Sequence, residues 1–172
     1  PGSLGLIFGT LIIVVLGIVD DIKVLRAGTK FIFQLVAALI VVATGTSITS
    51  ITLPFTSGDH TGMTYILGET IAFIISILWI VGITNAINLI DGLDGLAAGV
   101  SGIASITLFI VAVIRRQDDI ALIAASLAGA IFGFLPYNFN PAKIFMGDTG
   151  STFLGFILAV LSIEGTMKSV TT

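Results

Sequence analysis

The chain has 172 residues, of which 56% are hydrophobic and only 10% charged, and its mean hydropathy is +1.16. That balance excludes an ordinary soluble domain and points to a membrane protein. A net charge of −3 with no basic stripe argues against a nucleic-acid partner, and the lack of cysteine leaves neither a disulfide framework nor a thiolate metal site.

In chain order, Pro1-Gly2-Ser3 is an unusual beginning, read either as an internal cut or as a cloning scar. Leu4–Val19 is the first apolar run. It has no basic leader and no evident cleavage site, so it reads as a span rather than a signal peptide. Asp20 and Asp21 close it, and Lys23, Arg26 and Lys30 follow. Phe31–Thr44 is the second span. In Gly45–Thr64, β-branched residues alternate with Thr and Ser ahead of Pro54 and Gly58, the pattern of a short hairpin or extended loop outside the membrane. Further spans are expected at Glu69–Leu89, Leu96–Ile114, Ile120–Leu135 and Thr152–Ile163. A crossing helix needs roughly 20 residues, so the second and last extend into their flanks. The expected fold class is all-α: a polytopic transmembrane helical bundle of about six spans with one short extracytoplasmic β-hairpin or extended loop. Residues 1–172 form one membrane-embedded unit with no internal repeat.

Parity then gathers the acids. If the segment after the first span is cytoplasmic, so are Asn85–Asp94 and Pro136–Asp148. Lys23, Arg26, Lys30 and Lys143 fall inside and Arg115, Arg116 and Lys168 outside, in weak agreement with the positive-inside rule. Asp20, Asp21, Asp91, Asp94 and Asp148 all reach the same face. Ionisable groups at a membrane boundary are costly unless they meet water, metal or ligand, so function is the default reading. Carboxylates collected beside lysines suit Mg²⁺ and phosphate, because Mg²⁺ takes oxygen ligands and is commonly held by one or two carboxylates plus substrate phosphate.

The run from Asn85 to Gly95 (NAINLIDGLDG) is the densest cluster. On a helix, Asn85 and Asn88 lie about 60° apart, as do Asn88 and Asp91, whereas Asp94 would face about 180° away from Asn85. Gly92 and Gly95 make a break plausible. The expectation is therefore that Asn85 and Asn88 project from a helix into the site while Asp91 to Asp94 form a turn.

Three segments resemble the signatures of a known family, the polyprenyl-phosphate sugar-1-phosphate transferases (glycosyltransferase family 4). They are Gly17 to Lys23 (GIVDDIK) with Lys30 and Gln34 following, Asn85 to Gly99 (NAINLIDGLDGLAAG), and Pro141 to Ser151 (PAKIFMGDTGS). The resemblance covers nearly the whole chain. The nearest branch makes undecaprenyl-diphospho-N-acetylglucosamine; the related phospho-N-acetylmuramoyl-pentapeptide transferases usually have Thr where this chain has Ile90. It implies transfer of a sugar 1-phosphate, GlcNAc-1-phosphate in that branch, from a UDP-sugar to undecaprenyl phosphate with release of UMP. It also implies a Mg²⁺ cofactor (Mn²⁺ as the alternative ion), a multi-pass position in the bacterial cytoplasmic membrane, and an active site on the cytoplasmic face. Whether the protein forms a homodimer is left open.

The same resemblance assigns roles. Asp20 and Asp21 come to the reacting phosphates, with the substrate-facing part open between them. Asp148, Asp91 and Asn88 come to the metal and diphosphate, and Lys23 and Lys30 to phosphate. Asn85 faces substrate and Asp94 the uracil, whose imide N–H a carboxylate can accept. Asn138 would hydrogen-bond the nucleotide and Phe145 stack on its base. Plainer readings compete: a solvated helix-end pair for the adjacent acids, positive-inside anchoring for the lysines, helix capping for Asp148, and a core or lipid-facing place for Phe145. His60, alone in the outer loop, is given no role, and Trp79 and Tyr65 read as membrane packing or interface anchors. Family members are about twice as long, with roughly ten spans of about 20 residues each, and carry a His-rich cytoplasmic loop to which nothing after Ser151 corresponds. The chain thus reads as the middle of an enzyme. The alternative from another class is an ion- or proton-coupled transporter or channel fragment, which would string acids across the bilayer at different depths.

Overall fold

The first helix, α1 (Gly2–Lys23), divides its apolar residues between two faces. Leu6, Ile13 and Leu16 are buried, whereas Leu4, Ile7, Leu11, Val15 and Ile18 stand exposed at helical spacing. Such an outward row suits lipid, whose tails are as apolar as leucine. The computed structural model describes residues 2–53 and 63–167. After α1 come α2 (Ala27–Ala43), the strands β1 (Ser50–Leu53) and β2 (Met63–Ile66), then α3 (Glu69–Ile90), α4 (Leu96–Ile114), α5 (Asp118–Asn138) and α6 (Gly147–Met167). Among the described residues, α1, α3, α4 and α5 are long and apolar enough to cross a membrane, and α2 is a shorter apolar helix of 17 residues. The chain is a helical membrane bundle carrying one small two-stranded sheet.

The hairpin expected in Gly45–Thr64 is present as an antiparallel pair running from Ser50 opposite Ile66 to Leu53 opposite Met63, so its second strand continues past Thr64. Pro54, Gly58 and His60 lie outside the described residues. Four helices run past their apolar runs, α2 and α6 as their short runs required, and α1 continues through Asp20 and Asp21 to Lys23. α2 starts at Ala27 rather than Phe31, leaving only Val24–Arg26 as a connection, with Val24 in the left-handed region at φ 45°. α5 continues through Pro136 to Asn138, and α6 begins at Gly147 rather than Thr152. The cause is common to all four. Apolar runs mark where lipid begins, but backbone hydrogen bonding carries a helix on into polar turns, and those extra turns hold the functional residues.

α6 is the centre of the bundle. Phe156 to Leu161 are all buried, and the helix lies against α1 and α3, with α4 also touching it; α2 packs on α1, and α4 on α5. Small residues permit the tight fit. A Cβ built on Gly155 would lie 2.7 Å from the Thr84 Cα of α3, and one on Gly17 would lie 2.4 Å from the Thr149 Cα of α6. Connections α1–α2, α3–α4 and α5–α6 share one end. The hairpin and the α4–α5 turn share the other, where Thr46 donates to Glu164 Oε1 at 2.8 Å and Arg115 to the Gly165 carbonyl at 3.0 Å.

Candidate active site

The last turn of α1, the first turns of α2 and α6, and the end of α3 converge at the first of these ends. Asp20 is buried; its Oδ1 accepts the Leu25 N–H at 2.6 Å, closing the short α1–α2 connection, and its Oδ2 is ion-paired with Lys30 Nζ. Lys30 also reaches Asp148 Oδ2 at 2.6 Å, so one ammonium joins a carboxylate of α1 to one of α6. Asn88 of α3 completes the group: its Nδ2 donates to Asp148 Oδ1 at 2.8 Å and to Ser151 Oγ at 2.9 Å. Four separate helices therefore contribute to one polar cluster.

Asp148 does not cap its own helix, as the plainer sequence reading had it. α6 starts earlier, placing Asp148 inside the first turn, where its carboxylate turns to Lys30 and Asn88. Asp21 serves the helix end instead. Its Oδ1 accepts the Asp148 N–H at 2.8 Å, and its Oδ2 accepts the Thr149 N–H at 3.2 Å and the Thr149 hydroxyl at 2.5 Å. The adjacent acids thus have different tasks: Asp20 is buried beside the lysine, and Asp21 is exposed and bound to backbone.

α3 ends at Ile90 and α4 starts at Leu96, so Asn85 and Asn88 are helical and Asp91 to Asp94 lie in the turn between, as the glycine spacing suggested. Asn85 donates to Gln34 Oε1 at 2.6 Å and to the Val81 carbonyl at 2.8 Å, tying α3 to α2. Asp94 accepts from Asn140 Nδ2 at 3.2 Å and from the Ala142 N–H at 3.0 Å through Oδ2, while its Oδ1 takes neither bond. Asn138, buried at the end of α5, accepts the Gly95 N–H at 3.2 Å and donates to the Ile144 carbonyl at 3.0 Å. Asp94 and Asn138 therefore bind the α3–α4 turn to the α5–α6 loop.

Between that turn and that loop opens a cleft of about 270 Å³ lined by Asn88, Asp91, Asp94, Asn138, Phe145 and Asp148. Phe145 is 76% exposed at its edge. Of the residues singled out from sequence, Lys23 is exposed at the tip of α1 and Asn85 bonds to Gln34 of α2, and neither lines the cleft. Electrostatics divide the cleft carboxylates. Burial, and then the negative charge of Asp148, raise Asp91 above its ordinary value. Asp148 lies ahead of the apolar stretch of α6; the Asp20 carboxyl beside it, the ammonium of Lys30 and the amide of Asn88 outweigh burial and hold its pKa down to about 2.

Among the described residues no three acidic or histidine side chains form a ready cation cage. The donor set is nonetheless hard oxygen, and the charge of Asp148 disfavours that of Asp91. Two such carboxylates completed by substrate phosphate and water fit Mg²⁺ better than a closed all-protein cage would. Sequence reasoning quoted Gln34, Thr149 and Ser151 within the family-like segments but gave them no role, and it did not reach Asn140. Ser151 was within reach, since it follows Asp148 by three residues and so shares its helix face.

The family described as "Glycosyl transferase family 4" matches residues 3–166. The chain belongs to glycosyl transferase family 4. Among family-4 relatives, a Bacillus subtilis protein named "Probable undecaprenyl-phosphate N-acetylglucosaminyl 1-phosphate transferase" is 48% identical over 163 residues, 95% of this chain and 44% of that protein. A phospho-N-acetylmuramoyl-pentapeptide-transferase of Streptococcus mutans is 38% identical over 174 residues, 94% of this chain and 48% of that protein. Another of that name, from Streptococcus agalactiae, is 39% identical over 179 residues, 94% of this chain and 50% of that protein. The family-4 chain thus spans about half the length of the curated relatives it matches.

Proposed function

We propose that this family-4 chain carries the phosphotransfer centre of an enzyme that moves GlcNAc 1-phosphate from UDP-GlcNAc to undecaprenyl phosphate. The reaction begins cell-envelope polysaccharide synthesis on the cytoplasmic face of the bacterial membrane. The observation that carries the reading is the ammonium of Lys30 set between Asp20 and Asp148 beside a cleft lined by Asn88, Asp91 and Asp94. A homodimer belongs to the proposal only as an open arrangement.

The chemistry accounts for the residue types. A phosphate oxygen of the carrier attacks the sugar-bearing phosphorus of the UDP-sugar, a new P–O bond forms, and the bond to UMP breaks. Anion approaches anion, and two unit charges about 4 Å apart interact by roughly 4 kcal/mol at an effective dielectric of 20. Charge compensation and positioning are therefore the main demands. A carrier phosphate monoester, with a second pKa of about 6, is largely ionised near neutrality, so removing a proton contributes modestly. Lys30 would meet phosphate oxygens, whereas Lys23, exposed at the tip of α1, is not part of the cleft lining. Asp20 orients Lys30, which limits how many geometries the ammonium samples. Asp94 and Asn138 hold the two loops together, leaving Asp94 Oδ1 for the uracil imide and Phe145 for stacking on the base, while Asn85 and Gln34 brace the α2–α3 wall. Asp148, Asp91 and Asn88 would hold Mg²⁺ (or Mn²⁺), which when bound supplies positive charge to the diphosphate oxygens.

The layout of acids counts against the transporter alternative. Among the described residues, Asp20, Asp21, Asp91, Asp94 and Asp148 stand at one end of the bundle and Glu69, Asp118, Asp119 and Glu164 at the ends of helices on the other side, none of them at mid-helix depth. The test is Mg²⁺-dependent UMP release from UDP-GlcNAc with undecaprenyl phosphate, in bilayers and with the native sequence flanking this chain. Asp148→Asn should cut turnover by orders of magnitude with membrane insertion unchanged. Normal turnover in that variant removes Asp148 from the site, and neither UMP release nor Mg²⁺-dependent UDP-GlcNAc binding by the unaltered protein overturns the function.

A further inference from the structure

The first-turn N–H groups of a helix have no partner within the helix. In α6 two of them, on Asp148 and Thr149, are taken by a side chain from another helix. Asp21 spends both carboxylate oxygens on this end, three bonds in all with the Thr149 hydroxyl. A negative charge there is favoured by the helix dipole as well.

The approach of α1 to α6 that makes these bonds possible depends on two glycines. Gly17 and Asp21 are one turn apart and share a face of α1. At Gly17 a Cβ would lie 2.4 Å from the Thr149 Cα, so the absence of a side chain lets the α6 backbone rest directly on α1. Gly147 has φ +70°, and a Cβ there would lie 3.0 Å from Asp21 Oδ2. Gly17 brings the helix end close, Gly147 turns the chain into it, and Asp21 catches the amides that result.

Resting on the reading of Asp148 as a metal and phosphate group, we propose that Asp21 is a positioning residue for Asp148 and takes no direct part in phosphoryl transfer. The residue whose backbone N–H Asp21 holds is the one whose carboxylate meets Lys30 and Asn88. Fixing the backbone at that point fixes where the carboxylate sits. Asp20 stands in contrast, with its Oδ2 on Lys30 and its flank on the cleft cluster. The paired acids are a division between one group that holds the reacting lysine and one that holds the metal-facing helix.

A double-variant cycle tests this, with Asp21→Asn, Thr149→Val and both together in the protein with its native flanking sequence. Three readouts apply: amide exchange at Asp148 and Thr149, the Mg²⁺ concentration giving half-maximal UDP-GlcNAc binding, and kcat. Each single variant should speed exchange at those amides by about tenfold. Each should also raise the Mg²⁺ requirement by about 10–100-fold, the range typical of groups that orient a metal ligand. Thr149→Val should act in the same direction although it carries no charge, Thr149→Ser should restore the unaltered behaviour, and the double variant should be no worse than Asp21→Asn, as coupled partners require. Loss of turnover in Asp21→Asn with exchange and Mg²⁺ requirement unchanged, or additive effects in the cycle, overturns the positioning role. If unaltered protein binds no UDP-GlcNAc at any Mg²⁺ concentration while the exchange coupling holds, the proposed function fails and the clamp on α6 stands.

Discussion

Replacing Gly17 with alanine adds one methyl group at the closest approach of α1 and α6. It would lie 2.4 Å from the Thr149 Cα, 3.0 Å from the Thr149 N and 3.1 Å from its Cβ. Two of these atoms are backbone, so no rotamer change relieves the overlap. Non-bonded carbons settle at about 3.5–4.0 Å, which requires the helices to part by about 1 Å. The Asp21 bonds to the Asp148 and Thr149 amides, now 2.8 and 3.2 Å, would then exceed hydrogen-bonding range. Overpacking of this kind costs about 1–3 kcal/mol, and a displacement of about 1 Å near reacting groups can cost about 100-fold in rate. The expected outcome is a lower thermal midpoint in detergent together with a roughly 100-fold fall in UMP release. An alanine variant with unchanged midpoint and turnover would refute the close-contact argument. One with a lowered midpoint and full turnover would refute the link from that contact to the site.

Other consequences concern the cleft. Asp94→Ala removes the acceptor for both Asn140 Nδ2 and the Ala142 N–H; it should raise the KM for UDP-GlcNAc by about tenfold or more, consistent with a lost charged hydrogen bond, and leave the KM for undecaprenyl phosphate nearly unchanged. Equal changes for both substrates would count against the uracil role. Phe145→Ala should weaken uridine nucleotide binding by about 10–100-fold without lowering thermal stability, since stacking is worth about 1–3 kcal/mol per base and the ring is exposed. Unaltered UMP affinity would remove Phe145 from the base site.

Much of the fold was legible because lipid imposes a coarse rule: about 20 apolar residues per crossing. That rule located the helices, and parity alone brought Asp20, Asp91 and Asp148 to one end. The turn at Asp91–Asp94 was readable from angular spacing plus glycine. Polar helix ends were not. Ala27–Lys30 and Gly147–Ser151 lie beyond the apolar runs, and nothing in their own residues says that Asp21, more than a hundred positions away, supplies the missing acceptor for α6. The split between Asp20 and Asp21 was hidden for the same reason, since it depends on what each meets across the bundle. Asn138 looked like a ligand contact by position, and its bonds to Gly95 and Ile144 emerge only once two loops are set side by side.

The central place of α6 has a bearing on how the molecule is built. It follows the other described helices, yet it is the one that α1 and α3 close upon. Until it is inserted, Lys30 lacks Asp148, Asn88 lacks Ser151, and Asp21 has no helix end to hold. Before α6 is in place this polar cluster cannot exist. Insertion of α6 is thus the event that assembles this polar cluster, and a chain stalled before Gly147 would lack it.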